Sequence, residues 1–130
     1  MQIESQRSGA VLVIAPTGRI DSATSPELDR VVTAAFDGGE ASLVIDMAGV
    51  DYISSLGLGV LLKGAKRAKA ASGSLQLCAL QAPVLHVFKI SGFDRVLGIH
   101  EARSAAVGAL SGGAGSGIGG RRGPQGGEAC

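Results

Sequence analysis

Tryptophan is absent from the 130 residues, and aromatic side chains amount to only 3%. Without large rings, a core has to be filled by Val, Ile, Leu and Ala. Cysteine occurs twice, at Cys78 within an apolar segment and at Cys130. Two isolated cysteines exclude a disulfide framework and a multi-cysteine zinc site, and they suit a reducing compartment, so a cytoplasmic protein is expected. Charge is scarce as well: 18% of residues are charged and the formal net charge is +1. That balance creates no field that would gather nucleic acid. No apolar stretch approaches the roughly 18 residues that span a bilayer. The opening Met1-Gln2-Ile3-Glu4-Ser5-Gln6-Arg7 lacks the apolar core of a secretory signal. Neither nucleic acid nor membrane is therefore expected as a partner.

Groups that carry chemistry are equally sparse. His86 and His100 stand apart from each other and from any cysteine pair, and Asp21 and Asp46 have no third ligand at recognisable spacing. No metal site is expected from them. No nucleophile, base and orienting group can be assembled from the same residues, so neither catalytic residues nor an enzyme are expected. Gly57-Leu58-Gly59 fits neither the dinucleotide nor the P-loop pattern, and no cofactor is implied.

What is present is an apolar fraction of 45%, enough for one compact domain. Ala10 to Pro16 (AVLVIAP) is a β-branched run that reads as a buried strand, with the more polar Ile3 to Arg7 as its partner through Ser8-Gly9. Thr24-Ser25-Pro26-Glu27 offers a hydroxyl cap, a first-turn proline and a capping-box glutamate. Leu28, Val31, Val32, Ala35 and Phe36 then form one stripe of a helix that Gly38-Gly39 ends. Ser42 to Asp46 reads as a central strand, Gly49 to Ile53 as a connection, and Leu58, Leu61, Leu62 and Ala65 as the buried face of a second helix. Leu75 to Leu80 alternates as a strand. Pro83 opens a third helix with Val84, Val87 and Phe88 on one face, Arg95 to Ile99 is a last strand, and Glu101 to Leu110 a closing helix.

The expected order is thus β-β-α-β-α-β-α-β-α, an α/β domain over residues 1–110 with a mixed β-sheet of four to five strands and about four helices packed against it. From residue 111 the chain holds nine glycines in twenty residues. Residues 111–130 are expected to be a flexible tail, because so little apolar surface cannot offset the entropy of ordering. Cys78 is expected to pack as a small apolar residue.

The most specific stretch runs from Asp46 to Leu62, D-M-A-G-V-D-Y-I-S-S-L-G-L-G-V-L-L. It resembles the signature of the STAS family, whose anti-sigma factor antagonists carry a similar run from a strand into the second helix. Gly18-Arg19-Ile20-Asp21 before a Pro-Glu-Leu helix start, Ser42 to Asp46, and Phe88 to Arg95 are similar to that family's counterparts too. The resemblance implies a single STAS-like domain with Ser55 as phosphoacceptor, and a partner-binding surface of Asp21, Ser54, Ser55, Leu56, Gly57 and Gly59. Asp21 corresponds to an acidic residue beside the family's phosphorylation site, where it shapes the contact surface and the hydroxyl's hydrogen bonding. The implied mechanism is partner switching. The unphosphorylated protein binds an ATP-binding anti-sigma factor serine kinase of histidine-kinase-like fold and so frees a sigma factor. Phosphorylation on Ser55 releases the kinase, and a PP2C-type phosphatase resets the switch. Two residues depart from the family pattern: Ser54 stands where many antagonists have Asp, and Leu56 where Ser or Thr is usual. Leu56 keeps an alternative open, a constitutive interaction subunit of a stressosome or of a lipid-transport ABC complex.

The physics of the location, its capacity to accommodate an anion, is independent of the resemblance. A serine at a helix start lies among backbone N–H groups with no helical partner, near the positive end of the peptide dipoles. A phosphate there adds about −1.5 to −2 charges without requiring the domain to unfold. Gly57 and Gly59 leave little bulk, so another backbone can approach. Serine in this place is also a common helix cap; within the motif Ser54 keeps that role and Ser55 takes the switch. Lys63, Lys66, Arg67 and Lys69 line the second helix's other face, read either as a solvated surface or as a contact for an anionic partner.

Overall fold

The computed structural model describes residues 1–112, so the expected tail, apart from its first two residues, and Cys130 lie outside the described residues. The strands are β1 (Gln2–Ser8), β2 (Val11–Ile20), β3 (Ser42–Asp46), β4 (Gly49–Ile53), β5 (Ser74–Cys78) and β6 (Gly98–His100). The helices are α1 (Ser25–Asp37), α2 (Ser55–Ala70), α3 (Ala82–Ser91) and α4 (Arg103–Gly112), with a single 3-10 turn at Phe93–Arg95. Together they form one α/β domain on a mixed six-stranded sheet in the order β1-β2-β3-β5-β6, with β4 paired to β2. β1 pairs antiparallel with β2, and every other pairing is parallel.

The apolar pattern sorts the helices onto the two faces. Ile14, Leu43, Ile45, Leu75 and Leu77 pack with Leu28, Val32 and Phe36 of α1, Leu58 and Leu61 of α2, and Val84 and Phe88 of α3. Val11, Val13, Val44 and Cys78 point the other way, onto Ala106, Val107 and Leu110 of α4. Each fully buried Leu or Ile contributes about 1.5–3 kcal/mol relative to exposure, so aliphatic residues suffice where rings are missing.

Four of the expected elements need correcting. Gly49–Ile53 is not a connection but β4. Thr17 pairs with Gln2 on one edge and with Gly49 on the other, so β4 prolongs the edge that β3 began. Between them the Asp46 carboxylate accepts the Ala48 N–H at 3.0 Å, and Val50 N–H reaches Met47 O at 3.0 Å, a turn that leaves the strand direction intact. β5 stops at Cys78, because Ala79 sits at φ 60. The last strand shrinks to Gly98–His100, since residues 93–95 wind into the 3-10 turn and Leu97 buries itself in the core. Finally α4 begins at Arg103 rather than Glu101.

Arg103 anchors that helix. Its Nε donates to the nearly buried Asp46 carboxylate at 2.8 Å and its Nη1 to Gln6 Oε1 at 3.0 Å, tying α4 to the end of β3 and to β1. On the other face, Lys63 pairs with Asp29 at 2.8 Å and Arg67 pairs with Asp37, so half of the basic stripe on α2 is engaged by α1.

Candidate functional site: the mouth of helix α2

α2 begins where β4 ends, and its start is fixed by two bonds. Ser54 N–H donates to Ile20 O at 2.7 Å, continuing the β2–β4 ladder by one residue, and Ser54 Oγ accepts the Gly57 N–H at 3.2 Å. Ser54, extended at φ −89 and ψ 171, is thereby the N-cap. Ser55 is the first helical residue and is exposed; its hydroxyl makes no hydrogen bond among the described residues. The two adjacent serines are thus divided, one turned into the fold and one turned out. Leu56 comes next at 57% exposure, a large apolar side chain held in water.

Gly57 is placed differently from its sequence reading. It is buried, and a Cβ on it would lie 2.6 Å from Ile20 Cγ2 and 2.8 Å from Ile53 Cγ1. Its missing side chain seats α2 on β2 and β4 rather than opening the surface. Gly59 is exposed with nothing within 4 Å of a Cβ, so the open approach belongs to it alone.

Asp21 stands in the loop after β2, next to the ladder bond between Ile20 and Ser54. Its Oδ1 accepts N–H bonds from Ala23 at 3.0 Å and Thr24 at 3.1 Å, while its own N–H donates to Thr24 Oγ1 at 2.9 Å. The Thr24 backbone bond chiefly holds the carboxyl below its ordinary value; desolvation opposes it next in weight, and the Thr24 hydroxyl, the Ala23 N–H and the Arg19 charge add to the lowering. Thr24 is consequently engaged by Asp21 and by Arg19 O, at 2.6 Å, and does not cap α1 through its side chain. Asp21 shapes the loop beside the serines; among the described residues it bonds to neither hydroxyl.

Two residues of this surface escaped the sequence. Arg19 and Tyr52 face one another across β2 and β4, with the guanidinium 4.1 Å from the ring centroid. Arg19 Nε also lies 3.8 Å from Asp21 Oδ2. Tyr52 is 41% exposed although it sits in an apolar strand segment. The signal was the outward phase of both residues, each preceding a buried isoleucine, but it needs the β2–β4 pairing to become a contact. The surface therefore presents a hydroxyl, a leucine, a tyrosine and a paired cation, all exposed, residue types suited to docking against another protein.

Comparison with known proteins agrees with this architecture. The STAS domain family matches residues 2–106. A candidate anti-sigma factor antagonist of Bordetella bronchiseptica, BtrV, is 36% identical over 110 residues, 85% of this chain and 95% of its own length. A crystal structure of a candidate anti-sigma factor antagonist from Thermotoga maritima superposes with a TM-score of 0.81 at 18% identity, over 85% of this chain and 95% of that one. The anti-sigma factor antagonist SpoIIAA in its unphosphorylated form gives a TM-score of 0.72 at 19% identity, over 85% of this chain and 96% of that one. The same Bacillus protein has also been solved in a phosphorylated form, which superposes with a TM-score of 0.64 at 18% identity, over 82% of this chain and 96% of that one.

Proposed function

We propose that this chain, which belongs to the STAS domain family and to its anti-sigma factor antagonists, works as a phosphorylation-controlled switch: with Ser55 unmodified it binds an anti-sigma factor serine kinase and frees a sigma factor, and with Ser55 phosphorylated it lets go. The observation that carries the reading is the division of labour at the mouth of α2. Ser54 caps the helix, which leaves the Ser55 hydroxyl exposed and without structural duty among the described residues. A phosphate on that oxygen requires no rearrangement of the core, and it meets a helix start whose N–H groups favour an anion. Adding about −1.5 to −2 charges at the centre of a docking surface disfavours a partner fitted to a neutral hydroxyl. That SpoIIAA exists in both forms on the same fold supports a switch that leaves the domain folded. A PP2C-type phosphatase would complete the cycle.

The test is phosphorylation by the cognate kinase with ATP, then mass spectrometry and a binding measurement. Label is expected on Ser55 only, and Ser55→Asp is expected to bind the kinase at least tenfold more weakly, a loss of about 1.4 kcal/mol. Label persisting on Ser55→Ala would refute the assignment. The exposure of Leu56 favours a second reading, in which the apolar surface docks constitutively on a scaffold or transporter partner. Binding unaffected by Ser55→Asp but lost in Leu56→Asp would decide for it.

A further inference from the structure

The outer edge of β1 takes no part in the sheet: β1 ends the strand order, and no other strand among the described residues pairs with it. Among the described residues it is also an even edge. Its seven residues pair with β2 without a single register shift, from Gln2 opposite Thr17 to Ser8 opposite Val11. They include no proline or bulge; of the two charged side chains among them, Arg7 is paired with Glu40 of the same chain and Glu4 has no such partner among the described residues. Ser5 and Gln6 at its middle are exposed.

The sequence of β1 limits what can pair with it. Facing residues of an antiparallel pair lie on one side of the sheet, so in a two-fold pair of identical strands each residue faces one of its own parity. Only registers centred on a residue are then allowed. Centring on Glu4 sets two carboxylates against each other, and centring on Gln6 leaves Gln2 and Ile3 unpaired. Centring on Ser5 pairs all seven residues and sets Ile3 against Arg7, and Glu4 against Gln6. The second of these contacts is prepared within the chain. Gln6 accepts from Arg103 through Oε1, which orients its amide and leaves the Nε2 hydrogens free to donate to a carboxylate. Arg103 in turn is neutralised by Asp46, so Glu4 of a second copy meets a polarised amide donor at the end of a charge-assisted chain.

We infer that β1 is an interface for a second copy of this chain, joined antiparallel about Ser5 into one continuous sheet with Gln6 of each copy donating to Glu4 of the other. The two Glu4 residues then stand on a diagonal, their Cα atoms about 7–8 Å apart, and the repulsion between their carboxylates is screened by salt. Association strengthens with ionic strength as a result. The two α2 mouths, on a different part of each domain, stay free in the pair.

Sedimentation equilibrium on the full chain tests this. The wild-type protein is expected to shift from the mass of one 12.9 kDa chain to that of two as its concentration rises. Ser5→Lys and Ser5→Glu each place like charges face to face at the centre and are expected to remain at one chain mass, while their equimolar mixture recovers two. In a Cys130→Ser background, Ser5→Cys is expected to form a covalent pair under mild oxidation and Glu4→Cys is not. Circular dichroism on each exposed-site variant establishes that it is folded. A wild-type mass of one chain at all concentrations, or pairing that survives both Ser5 charges alone, overturns the inference.

Discussion

Replacing Gly57 and Gly59 by alanine makes an internally controlled pair, because both lie in the first turns of α2 and differ only in what surrounds them. At Gly57 the added methyl would stand 2.6 Å from Ile20 Cγ2, 2.8 Å from Ile53 Cγ1 and 3.3 Å from Ile53 Cδ1. The two nearest atoms are the first branches of stiff β-branched side chains, at 0% and 3% exposure, so they cannot swing aside. Overpacking of this kind costs about 1–3 kcal/mol. Alanine regains up to about 1 kcal/mol of helix propensity. With two contacts below 3.0 Å the cost falls in the upper part of that range, about 2–3 kcal/mol, so the net expectation for Gly57→Ala is a loss of about 1–2 kcal/mol, or roughly 4–8 °C in Tm for a domain of this size. At Gly59 no atom lies within 4 Å of the new Cβ, so only the propensity gain remains and Gly59→Ala is expected to stabilise by up to about 1 kcal/mol. Urea unfolding of both variants beside the parent reads the two signs. A Gly57→Ala protein as stable as its parent would refute the view that this glycine seats α2 on the sheet. It would restore instead the reading of Gly57 as an opening for a partner.

Three other perturbations have outcomes set by the same structure. Ser54→Ala removes the acceptor of the Gly57 N–H and is expected to cost about 1 kcal/mol in urea unfolding, whereas Ser54→Asp keeps the acceptor and is expected to match the parent or better it. Burial chiefly, and then the Asp46 charge, push the Cys78 thiol from 9.0 up to about 11, with Arg103 pulling modestly the other way. The unfolded chain then ionises first, so stability is full below pH 9 and falls as pH rises toward 11; denaturation across this window should show a drop that Cys78→Ala lacks. Lys63 and Asp29 meet at 2.8 Å with 62% and 33% of their side chains exposed, and a double-mutant cycle is expected to give a coupling under about 1 kcal/mol that salt reduces.

Much of this molecule is readable from its residues, and the failures have definite causes. The stripe from Leu28 to Phe36 and the run around Val11 to Pro16 announce α1 and β2, because one element buries one regular face. β4 stayed hidden because its buried residues, Val50 and Ile53, are three apart instead of two. The register explains the spacing: Gly18 pairs with Val50 and Arg19 with Tyr52, so Asp51 is an extra residue that breaks the alternation. The capping box at Thr24 failed for a competitive reason, since Asp21 and Arg19 O hold the hydroxyl that the motif assigns to the helix. At the mouth of α2, the resemblance to the STAS signature pointed to Ser55 and its neighbours, whereas residue types alone read as helix caps. They could not say which glycine lies under the helix and which in the open, because an absent side chain carries no direction.

Asp51 also fixes how the sequence of this region can vary. One residue more or fewer between Asp46 and Ser54 would invert the inside-outside phase of the downstream strand residues and turn α2 by about 100° about its axis. Gly57 would then leave its notch against Ile20 and Ile53, and the hydroxyl of Ser55 would rotate out of the proposed docking surface. Chains of this architecture that keep the same surface should therefore tolerate substitution at the exposed Asp51 while conserving the length of the segment. A hydroxyl's direction is set here by counting residues along a strand.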